Sequence, residues 1–413
     1  MTLSPWLNAL QNRLAKAHIR AAVHLHGPAE AVQMQLATLT PDGDALWLHS
    51  SHDTPLMPVS GCQPVGPNQA QHYLGSERRL LLVDGFSGLD PNMLLALAGT
   101  LTAGGVLLLA TPSDWATRSN PALTRFISLG QPLPDHSRTA QRLLAMPHLI
   151  PALNDLSRLD WLKHPACPTA PAPPPLPPTR CVLVEGRRGR GKSTLLARWV
   201  EAHPARTIAV VTNHRAALGS FLRGLAAQGW LNDGVSPIFT RSPAGAPQRT
   251  LKIWAPEAFL AQKPPVELLV IDEAARLTLP VLQKLLNTFG GPVLMASTTE
   301  GYEGAGQGLR LKLDGTIDHT VTLTEPVRWA SDDPLEQDLD AALLPDAPLP
   351  GVGAATFNPD ALTLRRWLPD ETDTLPVVFS LLKQAHYQTR PSDLMLLLDG
   401  PGTVWLAEWN ERI

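Results

Sequence analysis

Residues 186–193 read Gly-Arg-Arg-Gly-Arg-Gly-Lys-Ser and meet the spacing G-x-x-x-x-G-K-[ST], with Gly186, Gly191, Lys192 and Ser193 in its fixed positions. The run 181–184 before them, CVLV, is β-like, and the run 194–200 after them, TLLARWV, is helix-forming. Strand, glycine-rich turn and helix in that order are the context this loop requires. Glycines let backbone N–H groups turn inward and approach phosphate oxygens without a Cβ in the way. The helix that follows aims its N-terminal partial positive charge at the same anion. A flexible basic loop is the alternative, and it leaves the flanking strand and helix unexplained. The stretch is therefore read as a nucleotide site made of Gly186, Arg187, Arg188, Gly189, Arg190, Gly191, Lys192, Ser193, Thr194 and Leu195. Lys192 is expected to reach the β- and γ-phosphates, and the Ser193 hydroxyl to join the shell of a Mg²⁺ ion.

Such a loop needs a second strand bearing carboxylates. The segment VELLVIDEAARL supplies an apolar run ending in Asp272-Glu273. Asp272 is placed to hold Mg²⁺, partly through water, and Glu273 to orient or deprotonate the attacking water. An acidic pair after a strand is otherwise an ordinary solvated strand end. A third strand, GPVLMASTT, ends in Ser297, Thr298 and Thr299. Hydroxyls at the carboxyl end of a buried strand sit where open α/β sheets place ligand-sensing groups, although turn chemistry also favours them there. The run AVVTN, ending in Thr212-Asn213, is a weaker candidate of the same kind or simply the next parallel strand. Arg328, in EPVRWA, is a candidate to meet charge on the transferring phosphoryl group, with a surface arginine as the alternative.

At 413 residues the chain is long enough for two or three domains. Its 44% hydrophobic content allows sizeable cores, and its net charge of −3 gives no global footprint for nucleic acid. An RNA contact then needs a local patch or lies in another segment or partner; Arg187, Arg188 and Arg190 are candidates for such a patch, though they more simply add charge beside bound phosphates. The three cysteines, Cys62, Cys167 and Cys181, are odd in number and have no C-x-x-C spacing, which points to reduced thiols in a cytoplasm. His24/His26 and His49/His52 are paired in sequence without a third ligand nearby, so no metal site is read from them. A serine-hydrolase elbow and a signal-peptide pattern are both missing. The apolar run 104–110 is too short to span a bilayer, so a soluble, cytoplasmic protein without a membrane partner is expected.

The fold class read from this is α/β. Residues 1–150 form an N-terminal parallel α/β domain, in which RRLLLVDGFSGL is a strand, DPNMLLALAGTL a helix capped by Asp90, and GGVLLLATP a second strand. It carries no phosphate loop, and scaffolding or docking is its expected role. Residues 151–179 are a proline-rich linker, since HPACPTAPAPPPLPPTR favours extended polyproline conformation. The 41 prolines of the chain are about twice the usual share. Residues 180–350 are the P-loop NTPase module, with TRSPAGAPQR as an exposed loop. In 351–413 a helix (PVVFSLLKQAHY), a second helix (RPSDLMLLLDGPG) and a strand (TVWLAEW) follow a connector. They are expected either to pack on the nucleotide domain or to begin a domain that is cut off.

Five segments, GRRGRGKS, LLVIDEAA, STTEGYEGAGQG, PVRWASDDPLE and AHYQTRPSDL, together resemble the bacterial tRNA(Met) cytidine acetyltransferase family, where they occur in this order. Tyr302-Glu303-Gly304 with Arg328-Trp329 is far more specific than the loop alone. The resemblance implies an N-terminal α/β domain, a RecA-like helicase module and the start of a GNAT acetyltransferase domain. It also implies ATP or GTP with Mg²⁺, acetyl-CoA as acetyl donor, and elongator tRNA(Met), whose wobble cytidine becomes N4-acetylcytidine. Arg328 matches the family's nucleotide-contacting arginine. Two departures stand out. The family's glutamine-bearing, adenine-reading helix is replaced here by the proline-rich stretch, and only the opening of the GNAT domain is matched. The glycine-rich loop for the acetyl-CoA pyrophosphate is absent, as is the tRNA-binding tail. The expectation is a truncated form, a fragment or one half of a split enzyme that acetylates only with a separate GNAT-bearing chain. A stand-alone RNA-stimulated NTPase and a nucleotide-switched docking protein are the alternatives.

Overall fold

The computed structural model describes residues 2–41, 43–51, 53–159, 161, 172–213, 215–234, 236–245, 247–298, 313, 315–344, 361–385 and 389–409. The chain divides into two compact units, one formed by Met1–Ala70, Glu77–Cys167 and Asp332–Ile413, the other by Gln71–Ser76 and Pro168–Ser331.

The first unit opens with helix α1 (Leu3–Ala17), whose buried Leu3, Trp6, Leu7, Leu10 and Leu14 recur at three- and four-residue spacing and mark one apolar stripe. Strands β1 (Ala21–His26), β2 (Ala45–His49), β3 (Cys62–Val65), β4 (Arg78–Asp84), β5 (Leu101–Thr111) and β6 (Ile150–Pro151) form a sheet of order β3-β2-β4-β5-β1-β6. Every pairing in it is parallel. Residues 80–84 and 104–111 are buried without alternation, as expected of strands covered on both faces. Helices α2 (Ala29–Leu36), α3 (Pro91–Ala98) and α4 (Arg138–Leu144) supply connections. The expected cap is present: Asp90 accepts from the N–H groups of Asn92 (3.0 Å) and Met93 (3.3 Å).

The second unit contains β7 (Cys181–Gly186), α5 (Lys192–Ala202), β8 (Thr207–Val211), α6 (Gly219–Ala227), β9 (Ile238–Arg241), β10 (Arg249–Trp254), α7 (Pro256–Gln262), β11 (Leu268–Ile271), α8 (Leu279–Thr288), β12 (Val293–Thr298) and β13 (His319–Leu323). The sheet order is β13-β7-β12-β11-β8-β10-β9, and only β9–β10 is antiparallel. Strand alternation builds a core on each face. Val182, Val184, Ile208 and Val210 pack with Leu196, Val200, Phe221 and Leu225, while Cys181, Leu183, Ala209 and Val211 pack with Phe259, Leu282 and Leu285. The middle of TRSPAGAPQR is the expected exposed loop, while its ends belong to β9 and β10. Arg249 is buried and donates to the carbonyls of Val200 (2.6 Å), Glu201 (3.1 Å), His203 (2.9 Å) and Ala205 (2.9 Å), satisfying the orphan acceptors at the end of α5.

The remainder of the first unit is α9 (Pro334–Leu343), β14 (Leu362–Trp367), α10 (Leu375–Ala385), α11 (Pro391–Asp399) and β15 (Val404–Trp409), with β14 and β15 paired antiparallel. Trp367, Phe379, Leu394 and Leu406 form their core. This segment belongs to the first unit and is tied to the N-terminal sheet's own elements. Asp399 accepts from Ser137 Oγ (3.1 Å) and the N–H groups of Arg138 (2.6 Å) and Thr139 (3.2 Å), over the start of α4. Asp333, fully buried, accepts from Arg20 Nη2 (2.8 Å) and Arg20 N (2.6 Å) and caps α9 through Glu336 N (2.9 Å).

Candidate functional site

The parallel sheet of the second unit gathers the site at the carboxyl ends of β7, β11 and β12, the usual place for ligands in such sheets. Strand β12 lies between the loop strand β7 and the acidic strand β11. Its last residues, Ser297 and Thr298, therefore pair with Glu185 and Gly186 on one side and stand beside the acidic pair on the other. Thr299, the third of the sensing hydroxyls, lies outside the described residues, as do Tyr302, Glu303 and Gly304.

The loop between β7 and α5 is held in shape from both ends. Gly189 and Gly191 adopt φ of +80° and +82°, the left-handed region that side-chain-bearing residues avoid. A Cβ on Gly189 would also collide with the Trp329 ring, and one on Gly191 would approach Val327 at 3.2 Å. The segment 323–329 thus lies flush on the loop. Val327 N donates to Gly189 O (2.9 Å) and Arg190 Nε to Thr324 O (2.9 Å). Arg187 and Arg188 stay half-buried on the loop, and α5 begins with Leu195 N donating to Gly191 O (2.9 Å). Thr194 is half-buried and Leu195 buried in the same first turn.

Lys192 is buried, with Nζ donating to Gly186 O (2.8 Å) and Arg187 O (3.0 Å). Burial pulls its ammonium down to about 8, helped by Arg188 and Arg190 and opposed by Glu273 and Asp272. Its partners are neutral carbonyls that a phosphate can replace. Ser193 Oγ donates to Asp272 Oδ1 at 3.1 Å. Asp272 is buried and pushed up to about 7, first by desolvation and then by the charge of Glu273. Its second oxygen, Oδ2, is buried without a partner, and so is Ser297 Oγ.

Glu273 sits at φ +56°, an uncommon backbone region for a side chain of this size and one that clusters at functional sites. Burial pushes its carboxyl up, but Lys192, Arg188 and Arg276 outweigh this and hold it below its ordinary value. Thr298 Oγ1 donates to Glu273 Oε2 (3.2 Å), which fixes the carboxylate's direction. Of two neighbouring acids, one is held below its ordinary value and the other is drawn above it.

Arg328 lies in the segment that covers the loop, and its Nη2 donates to Ser220 Oγ (2.8 Å) near the start of α6. Sequence reasoning missed Ser220, which nothing in its neighbourhood marks. It also missed Glu185, a buried carboxylate one residue before the loop that accepts from Thr322 Oγ1 (2.8 Å). Among the described residues no cluster of His, Cys, Asp and Glu suits a metal by itself, and His24 and His26 instead stack at 4.9 Å.

With this geometry in place, comparison with known proteins is informative. Residues 2–146 match the family described as tRNA(Met) cytidine acetyltransferase TmcA, N-terminal, and residues 183–346 match RNA cytidine acetyltransferase NAT10/TcmA, helicase domain. The chain is similar to the tRNA(Met) cytidine acetyltransferase TmcA of Yersinia pestis, with 33% identity over 431 residues, 95% of this chain and 57% of that protein. It is similar to those of Salmonella typhimurium (29% identity, 98% of this chain, 59% of the relative) and Citrobacter koseri (30%, 98% and 60%). The chain thus spans less than two thirds of the length of these relatives. Among solved structures, the large terminase of a thermophilic bacteriophage aligns at 12% identity over 50% of this chain and 47% of that one, with a TM-score of 0.29. So low a score has no weight beside the sheet order and the matched helicase domain. Among the described residues no helix is long and apolar enough to cross a membrane.

Proposed function

The chain belongs to the TmcA family of tRNA(Met) cytidine acetyltransferases, and from that premise we propose that its second unit binds and hydrolyses ATP or GTP with Mg²⁺ in the service of acetylating the wobble cytidine of elongator tRNA(Met). The acetyl group would come from acetyl-CoA, the donor that the family resemblance implies. The observation that carries the hydrolytic reading is the buried Asp272, with one oxygen on Ser193 and the other unpartnered, beside a buried lysine. A buried carboxylate with a vacant lone pair is costly unless something of opposite charge completes it.

Ser193 Oγ and Asp272 supply hard oxygen donors suited to magnesium, which when bound neutralises charge on the β- and γ-phosphates. Lys192 exchanges its two carbonyls for phosphate oxygens, keeping its hydrogen bonds while gaining a counter-charge. The first turn of α5 and the backbone N–H groups of 186–191 hold the remaining phosphate oxygens. Glu273, ionised and oriented by Thr298, takes a proton from the attacking water. Arg328 leaves Ser220 to meet charge on the transferring group. Ser297 and Thr298 register the γ-phosphate from the strand between loop and acid.

The test is hydrolysis of ATP and GTP by the chain with Mg²⁺, with and without elongator tRNA(Met). Turnover that rises with that tRNA more than with a non-cognate tRNA supports the reading. Absence of both nucleotide binding and hydrolysis overturns it.

A further inference from the structure

Helix α1, the loop that leads into β2 and the first residues of β4 surround a cavity of about 390 Å³ that lies wholly within the first unit. The buried side chains of Leu7, Leu39 and Leu80 give it an apolar floor. Asn8, Asn12, Asp44 and Arg79 line it as well, all of them exposed. Among the described residues, none of these four side chains has a hydrogen-bond or ion-pair partner. We propose that this cavity takes one nucleotide of an RNA strand, turned out of its stack, with the base beside the α1 amides and a phosphate at Arg79. The inference rests on the family reading, in which the chain works on tRNA.

Asn8 and Asn12 lie four residues apart on α1, so both amides stand on one face of the helix. A side-chain amide offers a donor and an acceptor side by side, the pattern with which Asn reads the edge of a base. Asp44 adds a pure acceptor, suited to an exocyclic amine or a ribose hydroxyl. Arg79 supplies the guanidinium fork that a phosphate takes. The volume falls within the roughly 300–1,000 Å³ of small-molecule sites, at the end that suits a single nucleoside. Asparagine is also among the poorer helix formers, so the pair at 8 and 12 does nothing for the helix itself. With a net charge of −3 the chain offers RNA no broad basic surface, and a pocket that reads one unstacked base suits it better.

The walls are fixed by bonds that leave the four side chains free. Ser4 Oγ and Thr40 Oγ1 stand 3.2 Å apart, tying α1 to the loop. Gln11 Nε2 donates to Arg79 O (2.8 Å), and Arg79 N donates to Asp44 O (3.2 Å). Helix α1 is also held from elsewhere, by Trp6 Nε1 donating to Asn154 O (2.7 Å) and Arg13 Nη1 to Leu156 O (2.8 Å). Preorganisation of this kind lets the amides contribute to affinity without the cost of ordering the backbone that bears them.

The experiment measures binding of labelled elongator tRNA(Met) to the whole chain by fluorescence anisotropy, over a series of salt concentrations. Wild type should bind, and Asn8→Ala combined with Asn12→Ala should weaken binding about 10-fold or more, the scale of one bidentate base contact. The salt slope of that double variant should not move, since the amides carry no charge. Arg79→Ala should instead lower the slope by about one. Alanine is the best helix former, so the double variant should unfold at the wild-type temperature or above it. If it unfolds lower, Arg79→Ala, an exposed change off the helix, decides by its slope. Wild-type affinity and slope in every variant overturn the cavity assignment and leave the tRNA reading standing. The four nucleoside 3′-monophosphates are titrated in turn as free ligands. Loss of one of them in the variants, with tRNA binding intact, makes this a site for a free nucleotide and overturns the RNA assignment. No tRNA binding by wild type overturns the tRNA reading for this chain, and the cavity assignment falls with it.

Discussion

Each unit carries a buried aspartate at the carboxyl end of a parallel strand, and the two have opposite fates. Asp84, at the end of β4, is fully enclosed and fully partnered. It accepts from Phe86 N (3.0 Å), Ser87 N (3.2 Å) and Thr54 Oγ1 (2.6 Å), which stitches the turn after the strand. Asp272, just after β11, keeps Oδ2 without a partner and lies beside Glu273, a second carboxylate. Burial raises both carboxyls above their ordinary range. The difference lies in whether the protein itself has satisfied the buried atoms. Where it has, the aspartate is part of the scaffold; where it has not, a ligand can complete the set.

The sharpest way to break this comparison is a pair of substitutions with crossed effects. Asp272→Asn should cut hydrolysis on the order of 10³-fold or more, because the metal's charge stabilisation is worth several kcal/mol. The same change should leave the unliganded protein as stable as wild type or more so, since a buried charge is removed. Glu273→Gln should retain nucleotide affinity and lower turnover about 10²–10⁴-fold. Thermal unfolding without ligand, together with steady-state hydrolysis, checks both variants. A clear loss of stability in Asp272→Asn would make that residue a structural one like Asp84.

Asp84→Ala should do the reverse. Two backbone N–H groups and a hydroxyl lose their acceptor, costing about 1–3 kcal/mol in the first unit. Hydrogen exchange of β4 and β5 amides reads that loss locally. Nucleotide hydrolysis should stay within about 2-fold of wild type, and a larger drop would mean that the first sheet also serves the reaction.

The smallest expected effect concerns His24, on β1. Burial, with the neighbouring His26 adding to it, lowers its pKa to about 4, while Thr111 Oγ1 bonds its Nε2 at 2.8 Å. A group whose folded pKa lies below its unfolded value of about 6.5 gains protons on unfolding. Its stabilisation is complete above about pH 6.5 and is lost as pH falls toward about 4. Urea midpoints across that window should decline in wild type and decline less in His24→Gln. Equal slopes would remove His24 from the account.

Local patterns made much of this legible. The loop 186–193, the strand ends at Asp272 and Ser297, and the Asp90 cap all depend on neighbours in sequence, so spacing alone exposed them. That Lys192, Ser193, Asp272, Glu273 and Thr298 meet follows from strand order, which a phosphate loop and an acidic strand already constrain. What escaped depends on partners far along the chain. Arg249 reads as part of a loop because its four carbonyl acceptors lie some 45 residues away around the end of α5. Ser220 gains interest only through Arg328, 108 positions later. The segment 351–413 reads as packing on the nucleotide domain or as the start of a domain that is cut off, and its bond from Asp399 to Ser137, some 260 positions earlier, could not be read from neighbours in sequence.

The contact of Trp329 with Gly189 has a bearing on how such a loop can drift over evolutionary time. A side chain at 189 meets two obstacles, the indole and the left-handed backbone, and shrinking Trp329 would lift only the first. Single replacements at either position therefore lead downhill in fitness, and a paired replacement does not fully escape. Among descendants of this sequence the glycines of the loop, together with the tryptophan lying on them, are thus the part expected to persist.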